Sequence, residues 1–348
     1  MRIFTTSLFI VFFIIASLSS LRAQQVNDPV AYMDRFSQSQ QKINYEMLGY
    51  ISAVAHNKSA KKVNKERTEL IQAISAAKAK FGRPVDFEGD SAMRVASYNY
   101  FEIALIVLKQ DYAKIMDLEE IAEESYDNME AYLKAQEVAN QKEHDAYERA
   151  DREYRAFAAK HHVTIQEDDS KDAKASEKIA EVDKYYNKVY LAFFKCNSNE
   201  SYLMKAIEKK DVSGIEQNRS SLLKNSEEAL PKFAEIGSFD GDANLTAAAK
   251  NCVQFYLGEA KDKISILSDY IVQNDNFQKM KTAMDKKSAS DRTQEDVDKY
   301  NAAIKSINDA VATYNKVNTE LNQARTKLLN ELNGATQDFM AKHIPKHK

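Results

Sequence analysis

The sequence predicts an all-α protein built from long helices. Glycine and proline, which interrupt helices most often, occupy only 8 and 4 of the 348 positions. Apolar residues recur at spacings of three and four, and no convincing alternating strand pattern occurs beyond the N-terminal apolar run. A four-residue motif also occurs twice, which predicts that the helices are arranged in two copies of one unit.

The repeated motif is Phe-x-Gly-Asp. Phe87-Glu88-Gly89-Asp90 returns as Phe239-Asp240-Gly241-Asp242, which is 152 positions later (239 − 87). The same offset aligns five further identical pairs: Tyr50 with Tyr202, Arg67 with Arg219, Leu70 with Leu222, Phe81 with Phe233, and Leu105 with Leu257. A fixed offset of this kind indicates an internal duplication.

Residues 1–23 have the features of a signal peptide for export. Met1-Arg2 supplies a positive start, Leu8–Ala16 is an unbroken apolar run, and Leu21-Arg22-Ala23 ends in a small residue. The run is shorter than the roughly 20 residues that a membrane-spanning helix needs. Gln24 follows the expected cleavage site, so the cysteine that carries a lipid anchor is absent there. We therefore expect a mature chain without a membrane span, in the periplasm, at the cell surface or outside the cell.

The first copy, residues 24–162, is predicted to contain four amphipathic helices. Asp28 and Pro29 suit the N-cap and first turn of the first helix, and Gly82-Arg83-Pro84 is expected to end the second. Asp90 is expected to cap the third helix. Apolar residues form a seam on the third and fourth helices, namely Phe101, Leu105, Leu108, Tyr112 and Ile115, then Met129, Leu133, Tyr147, Tyr154 and Phe157.

Residues 163–176 are polar, acidic and aperiodic, and are predicted to be a linker before the second copy, residues 177–348. In that copy Asp242 is expected to cap the third helix. Thr293 is expected to cap the last helix in a capping box that has Asp296 in place of the usual Glu. The motif Phe157–His161 matches Phe339–His343 at an offset of 182 (339 − 157), so the second copy has gained 30 residues (182 − 152).

Two architectures fit this pattern. The first is a pair of tandem four-helix-bundle-like repeats, each burying one apolar stripe per helix. The alternative is one elongated bundle with a protruding coiled-coil hairpin. That alternative follows from the length of the last helix, about 50 residues or roughly 75 Å.

The chain offers few residues for chemistry. Cys196 is in phase with Val189 and Leu203, and Cys252 lies beside Val253. The two could form a disulfide after export or remain two buried thiols. The turn aspartates are explained by helix capping, and no metal-ligand, haem or phosphate-loop motif occurs. His343 and His347 are expected on a solvated terminus. A net charge of −3 argues against nucleic acid as a partner. No cofactor is expected.

Several motifs resemble one protein family. They are Ser52-Ala53-Val54-Ala55-His56, both Phe-x-Gly-Asp turns, Asp111-Tyr112-Ala113-Lys114-Ile115, Arg292–Asp298 and the paired Ala-Lys-His ends. Together they resemble a family of exported all-helical bacterial surface proteins without an assigned activity, over about residues 28–345. The resemblance implies a surface location, and it brings no cofactor or catalytic residue.

Two functions are compatible with these features. The first is a non-enzymatic exported envelope or surface protein that acts through contacts with another envelope or extracellular macromolecule. The alternative is a periplasmic binder of a small apolar ligand held between bundle helices. The second hypothesis would place the ligand near the aromatic side chains Tyr98, Tyr100, Phe101, Tyr185 and Tyr186.

Overall fold

The structure is a computed structural model that describes residues 28–111, 126–165 and 170–347. These residues are all-α, without a strand, as the sequence predicts. The predicted export signal and the predicted seam residues Tyr112 and Ile115 lie outside the described residues. Among the described helices, none combines the length and the apolar character needed to cross a membrane.

Nine α-helices are assigned within the described ranges. They are α1 Pro29–Ala55, α2 Ala60–Phe81, α3 Ala92–Ile106, α4 Tyr126–Lys160, α5 Lys171–Glu208, α6 Val212–Ile236, α7 Asn244–Gly258, α8 Ile264–Lys286 and α9 Gln294–His343. A π-helical turn, Val107–Asp111, follows α3, and a second, Glu259–Lys263, joins α7 to α8. A short 3-10 turn, Ala289–Asp291, lies between α8 and α9.

The chain forms two compact units whose boundaries differ from the predicted ones. The first unit extends to Lys184 and includes the chain end from Gln337, and the second unit is Tyr185–Thr336. The predicted linker, 163–176, is not a linker throughout, because α5 begins at Lys171. The Ser170 hydroxyl starts this helix by accepting a hydrogen bond from the Ala173 amide at 3.1 Å. Lys, Ala and Glu are good helix formers, so the polar and charged composition of this segment is compatible with a helix.

The core of the first unit is centred on Phe36 of α1, which is 0% exposed. Its ring lies 6.0 Å from Phe81 of α2, 5.6 Å from Phe101 of α3 and 5.7 Å from Tyr154 of α4, between ring centroids. One aromatic side chain therefore contacts the other three helices. The Tyr154 hydroxyl forms a hydrogen bond with the Ser37 hydroxyl of α1 at 2.9 Å.

The core of the second unit contains an apolar seam that follows α7, its π-helical turn and α8. The seam residues recur every three or four positions and are all buried or half-buried: Val253, Leu257, Ala260, Ile264, Leu267 and Ile271. Helix α6 packs on α7, and Leu222 of α6 is 0% exposed. The Tyr256 hydroxyl of α7 donates to the Asn197 side chain of α5 at 2.8 Å, so the buried phenol is satisfied.

The two Phe-x-Gly-Asp turns have the same geometry. In each turn the Phe and Asp exchange backbone hydrogen bonds, and Gly89 and Gly241 have φ of +82° and +80°. Asp90 Oδ1 accepts a hydrogen bond from the Ala92 amide at 3.1 Å, and Asp242 Oδ1 accepts one from the Asn244 amide at 3.1 Å. Both predicted caps thus bind the first amide of the helix that follows.

The shared geometry continues beyond the turns at the same offset of 152. Helix α3 and its π-helical turn, 92–106 and 107–111, correspond to α7 and its π-helical turn, 244–258 and 259–263. Arg67 donates to the carbonyl of Leu108 at 3.5 Å, and Arg219 donates to the carbonyl of Ala260 at 2.7 Å. These observations agree with the predicted duplication over the segments they cover. A common origin of the two copies stays a prediction.

Substituting Gly241 tests whether the second turn needs its left-handed backbone. Gly241 has a φ of +80° with open space around a would-be Cβ, so Gly241→Ala adds backbone strain without a clash. We expect destabilisation of about 1–2 kcal/mol, measured by urea unfolding. Gly258→Ala is the matched control, because Gly258 also faces open space but has helical dihedrals. The control should be neutral or more stable by up to about 1 kcal/mol. Equal effects of the two substitutions would contradict this explanation.

Candidate functional site

Helices α8 and α9 form a hairpin that extends past the core of the second unit. Ile271 is the last buried residue of α8, and Ile307 is the first of α9. Between them, no residue whose exposure is described is buried. The two helices contact each other through a narrow aromatic seam. Tyr270 packs on Tyr314 with ring centroids 4.5 Å apart, and Phe277 stacks on Tyr300 at 6.0 Å.

Thr293 opens the returning helix of the hairpin as a capping residue. Its hydroxyl accepts a hydrogen bond from the Asp296 amide at 3.1 Å, and the Asp296 carboxylate accepts from the Thr293 amide at 2.9 Å. This is the reciprocal pattern of a capping box, with Asp in place of Glu. Lys287 at the end of α8 donates to the same carboxylate at 2.6 Å. These hydrogen bonds lower the pKa of Asp296 to about 2.

The surface of the hairpin mixes charges with a few exposed apolar side chains. Both helices carry acidic and basic residues: Asp275, Lys279, Lys281, Asp285 and Lys286 on α8, then Glu295, Asp298, Lys299 and Lys305 on α9. Val272 and Met280 are 42% and 39% exposed. The surface of the hairpin therefore combines charged and apolar side chains.

Of the two alternatives for Cys196 and Cys252, the structure has the second, because both thiols are free and buried. Cys196 of α5 faces Ser226 of α6. The Cys252 thiol of α7 instead donates to the carbonyl of Leu328 of α9 at 3.5 Å. The two side chains share the core of one unit but point to different helices. Burial raises the pKa of Cys196 to about 11 and that of Cys252 to about 12, which keeps both as neutral thiols.

A buried ionic trio in the second unit was missed by the sequence analysis. Arg325 of α9 pairs with Glu200 of α5 and with Glu259 in the π-helical turn. The Glu259 side chain is 0% exposed and that of Arg325 is 13% exposed. Burial raises the pKa of Glu259 to about 7, against the opposing effect of the Arg325 charge. The sequence did indicate that Arg325 could be buried, because it lies at the apolar spacing of α9, four positions after Leu321 and three before Leu328.

A second carboxylate group lies between α1 and α2 in the first unit. Ligand atoms of Glu46, Glu66 and Glu69 lie within 4.8 Å of one another. Each glutamate is paired with the lysine four positions before it: Lys42, Lys62 and Lys65. The charges are thus balanced inside the protein, which weakens the attraction for a cation. None of these glutamates and lysines is among the capping residues predicted from the sequence.

A groove of about 530 Å³ adjoins this cluster. Its floor is formed by the alanines of α2 and its walls by polar side chains of both helices: Gln38, Ser39, Lys42, Glu46, Glu69, Gln72, Ala73, Ala76, Ala77 and Lys80. Ligand pockets are usually lined mostly by apolar and aromatic side chains. The polar walls of this groove do not match the apolar ligand of the alternative function.

The aromatic residues named for that apolar ligand are engaged in packing. Tyr100 and Phe101 are 1% and 0% exposed, and their rings contact each other at 5.0 Å. The Tyr185 hydroxyl donates to the Gly237 carbonyl at 2.9 Å. Tyr186 stacks on Tyr190. Tyr98 is half-buried and packs against the ammonium group of Lys78. None of them lines the groove between α1 and α2.

The chain end packs on the first unit, which contradicts the expected solvated terminus. Ile344 is 4% exposed, and its carbonyl accepts a hydrogen bond from His56 Nε2 at 3.2 Å. The His347 amide donates to the Ser52 hydroxyl at 3.0 Å, and the His347 ring lies 4.4 Å from that of Tyr45. A short polar sequence such as Pro345–His347 carries no periodicity, so only the folded contacts reveal this docking.

No protein-family model matches the chain, and no curated protein or solved structure is similar to it. The resemblance to exported all-helical bacterial surface proteins accordingly stays a prediction from the motifs.

Proposed function

We propose that this chain is a non-enzymatic exported protein of the cell envelope or cell surface that binds another macromolecule through the α8–α9 hairpin. The observation that carries the proposal is the stretch from Val272 to Ser306, which has no buried residue where exposure is described. Helices of soluble proteins normally bury one apolar stripe against a core. This pair extends beyond its core and leaves its outer surface free for a partner.

The hairpin is long enough to form an interface of its own. The 15 residues of α8 after Ile271 span about 22 Å at 1.5 Å per residue. Its exposed Met280 belongs to a residue type enriched in protein interfaces, and its balanced charges could select a complementary surface. The 30 residues by which the second copy exceeds the first also fall between its third-helix seam and its end, where the hairpin lies.

Export and surface location are supported by the sequence of residues 1–23 and by the motif resemblance. The non-enzymatic character is supported by the polar groups of the described core. In the second unit the buried charges of Glu200, Arg325 and Glu259 are paired with one another. The aromatic side chains considered for a ligand are packed against neighbouring residues.

A shortened hairpin tests the proposal. In one variant, residues 276–303 are replaced by a short Gly-Ser loop, which removes the outer hairpin and keeps the buried residues Ile271 and Ile307. The control variant carries Val85→Ser and Val95→Ser, two exposed apolar residues of the first unit. Each protein is immobilised and exposed to the envelope fraction of the producing cell, and bound proteins are identified by mass spectrometry.

We expect one partner to be retained by the wild type and by the control but lost from the shortened variant. The shortened variant should keep its thermal transition, because the removed residues are not buried. Equal retention of the same partner by the shortened variant would refute the role of the hairpin. A specific catalytic turnover by the purified protein would refute the non-enzymatic function.

A further inference from the structure

Glu143 of α4 is the most deeply buried carboxyl group of the first unit among the residues described. It is 1% exposed, and both carboxyl oxygens are buried without a hydrogen bond at normal distance and angle. Among the described residues it interacts with Tyr100 of α3 and with Tyr147 of α4 itself, and Gln40 of α1 donates to the Tyr100 hydroxyl. Tyr100 and Tyr147 are 1% and 2% exposed, so the group is closed to solvent.

Three acceptor oxygens of this cluster are buried without a hydrogen-bond partner. The Gln40 amide nitrogen donates to the Tyr100 hydroxyl at 3.2 Å, while the Gln40 carbonyl oxygen is buried and unpartnered. The two oxygens of Glu143 add further acceptors if the carboxyl is ionised. A proton on Glu143 would supply a donor and would also remove a buried charge. Both changes favour the neutral acid.

The second unit shows what a charged group at the matching position requires. At the offset of 182 (325 − 143), Glu143 corresponds to Arg325, whose charge is balanced by Glu200 and Glu259. At the offset of 152, those two glutamates correspond to Leu48 and Val107 of the first unit, which are apolar and buried. The positions that provide counter-charges in one unit therefore offer none in the other.

We propose that Glu143 is a proton-operated switch in the core of the first unit. It is held as the neutral acid while α4 is packed on α1 and α3, and loss of its proton loosens α4 from these helices. Among the described residues, the titratable groups that interact with it are Tyr100 from α3 and Tyr147 from α4, and α1 contributes the uncharged Gln40, which binds Tyr100. Both tyrosines are themselves neutral over the range in which the switch operates.

The direction of the pH dependence follows from this assignment. Burial raises the pKa of Glu143 to about 8, although the Tyr100 hydroxyl opposes the shift. In the unfolded chain the same carboxyl loses its proton near its ordinary pKa of about 4.3. Between these values the folded state binds more protons, so the folding equilibrium constant should fall about tenfold for each unit of rising pH. Above the folded pKa the loss levels off.

Glu143→Gln is the variant that tests the switch, because glutamine keeps the shape and cannot ionise. Glu148→Gln is the matched control on an exposed position of the same helix. Urea unfolding of the full-length chain is followed at pH values from about 5 to about 8. The ratio of the folding equilibrium constant of Glu143→Gln to that of the wild type should rise by about tenfold per pH unit. The same ratio for the Glu148→Gln control should not change with pH.

A carbon-13 titration of the Glu143 carboxyl in the folded wild type gives a second test that does not depend on the variant folding. A midpoint well above pH 6 supports the proposal. A midpoint near or below the ordinary value would overturn it, since the carboxylate would then be ionised and stabilised by a bound cation or water. Unfolding curves of Glu143→Gln that run parallel to those of the wild type would overturn it as well.

Discussion

Replacing Arg325 by methionine is expected to destabilise the second unit by about 3–5 kcal/mol near neutral pH. The substitution leaves Glu200 and Glu259 buried and without their shared counter-charge. The cost should be smaller in acid, because both carboxyl groups can then be protonated and burial of a neutral acid is cheaper. Urea unfolding at about pH 5 and about pH 8 would measure both effects.

A triple variant separates the loss of a partner from the value of the trio itself. Glu200→Leu, Glu259→Val and Arg325→Met together place apolar side chains at all three positions, and the first two are the residues found at the matching positions of the first unit, Leu48 and Val107. Replacing a whole buried ion group in this way is often neutral or stabilising. We therefore expect the triple variant to recover most of the lost stability. A triple variant as unstable as Arg325→Met would contradict this account.

Replacing Phe36 by alanine is expected to destabilise the first unit by about 3–5 kcal/mol. The ring is fully buried and contacts aromatic side chains of α2, α3 and α4, so its removal leaves a cavity where all four helices meet. The measurement is the shift of the urea midpoint at constant m-value. Those aromatic neighbours are themselves packed against one another, which limits how far the cavity can collapse.

Gln41→Ala on the same helix is the control for this prediction. Gln41 is exposed, and alanine is at least as good a helix former, so the change should stay within about 0.5 kcal/mol. A loss below about 1 kcal/mol for Phe36→Ala would contradict the four-helix core, because it would mean that the site is solvated or can collapse completely.

Local rules in the sequence were sufficient to predict much of this fold. Asp28 with Pro29, the Asp90 and Asp242 turns, and Thr293 with Asp296 are all interactions within a few residues, and the structure has hydrogen bonds at each of them. The aromatic and aliphatic seams depend only on helical periodicity.

Features that depend on tertiary contacts were not predictable in the same way. The chain end from Gln337 returns to the first unit, and Ile344 and His347 have no periodic context that would indicate burial. Whether a charge is buried depends on neighbours far away in the chain, as Glu259 and Arg325 show across 66 positions. Helical phase gives the side of a helix that faces the core, and not the helix that lies opposite, so the sequence left open whether Cys196 and Cys252 are bridged.

The central claim is that the outer hairpin is a contact surface, and site-specific photo-crosslinking in the producing cell tests it most directly. A photoreactive amino acid replaces Met280, which is 39% exposed on α8. The control replaces Val138, which is 44% exposed on α4 of the first unit. We predict a single discrete crosslinked product from position 280, containing an envelope or extracellular macromolecule, and none of that product from position 138. Absence of any discrete product from position 280, or the same product from both positions, would contradict the account.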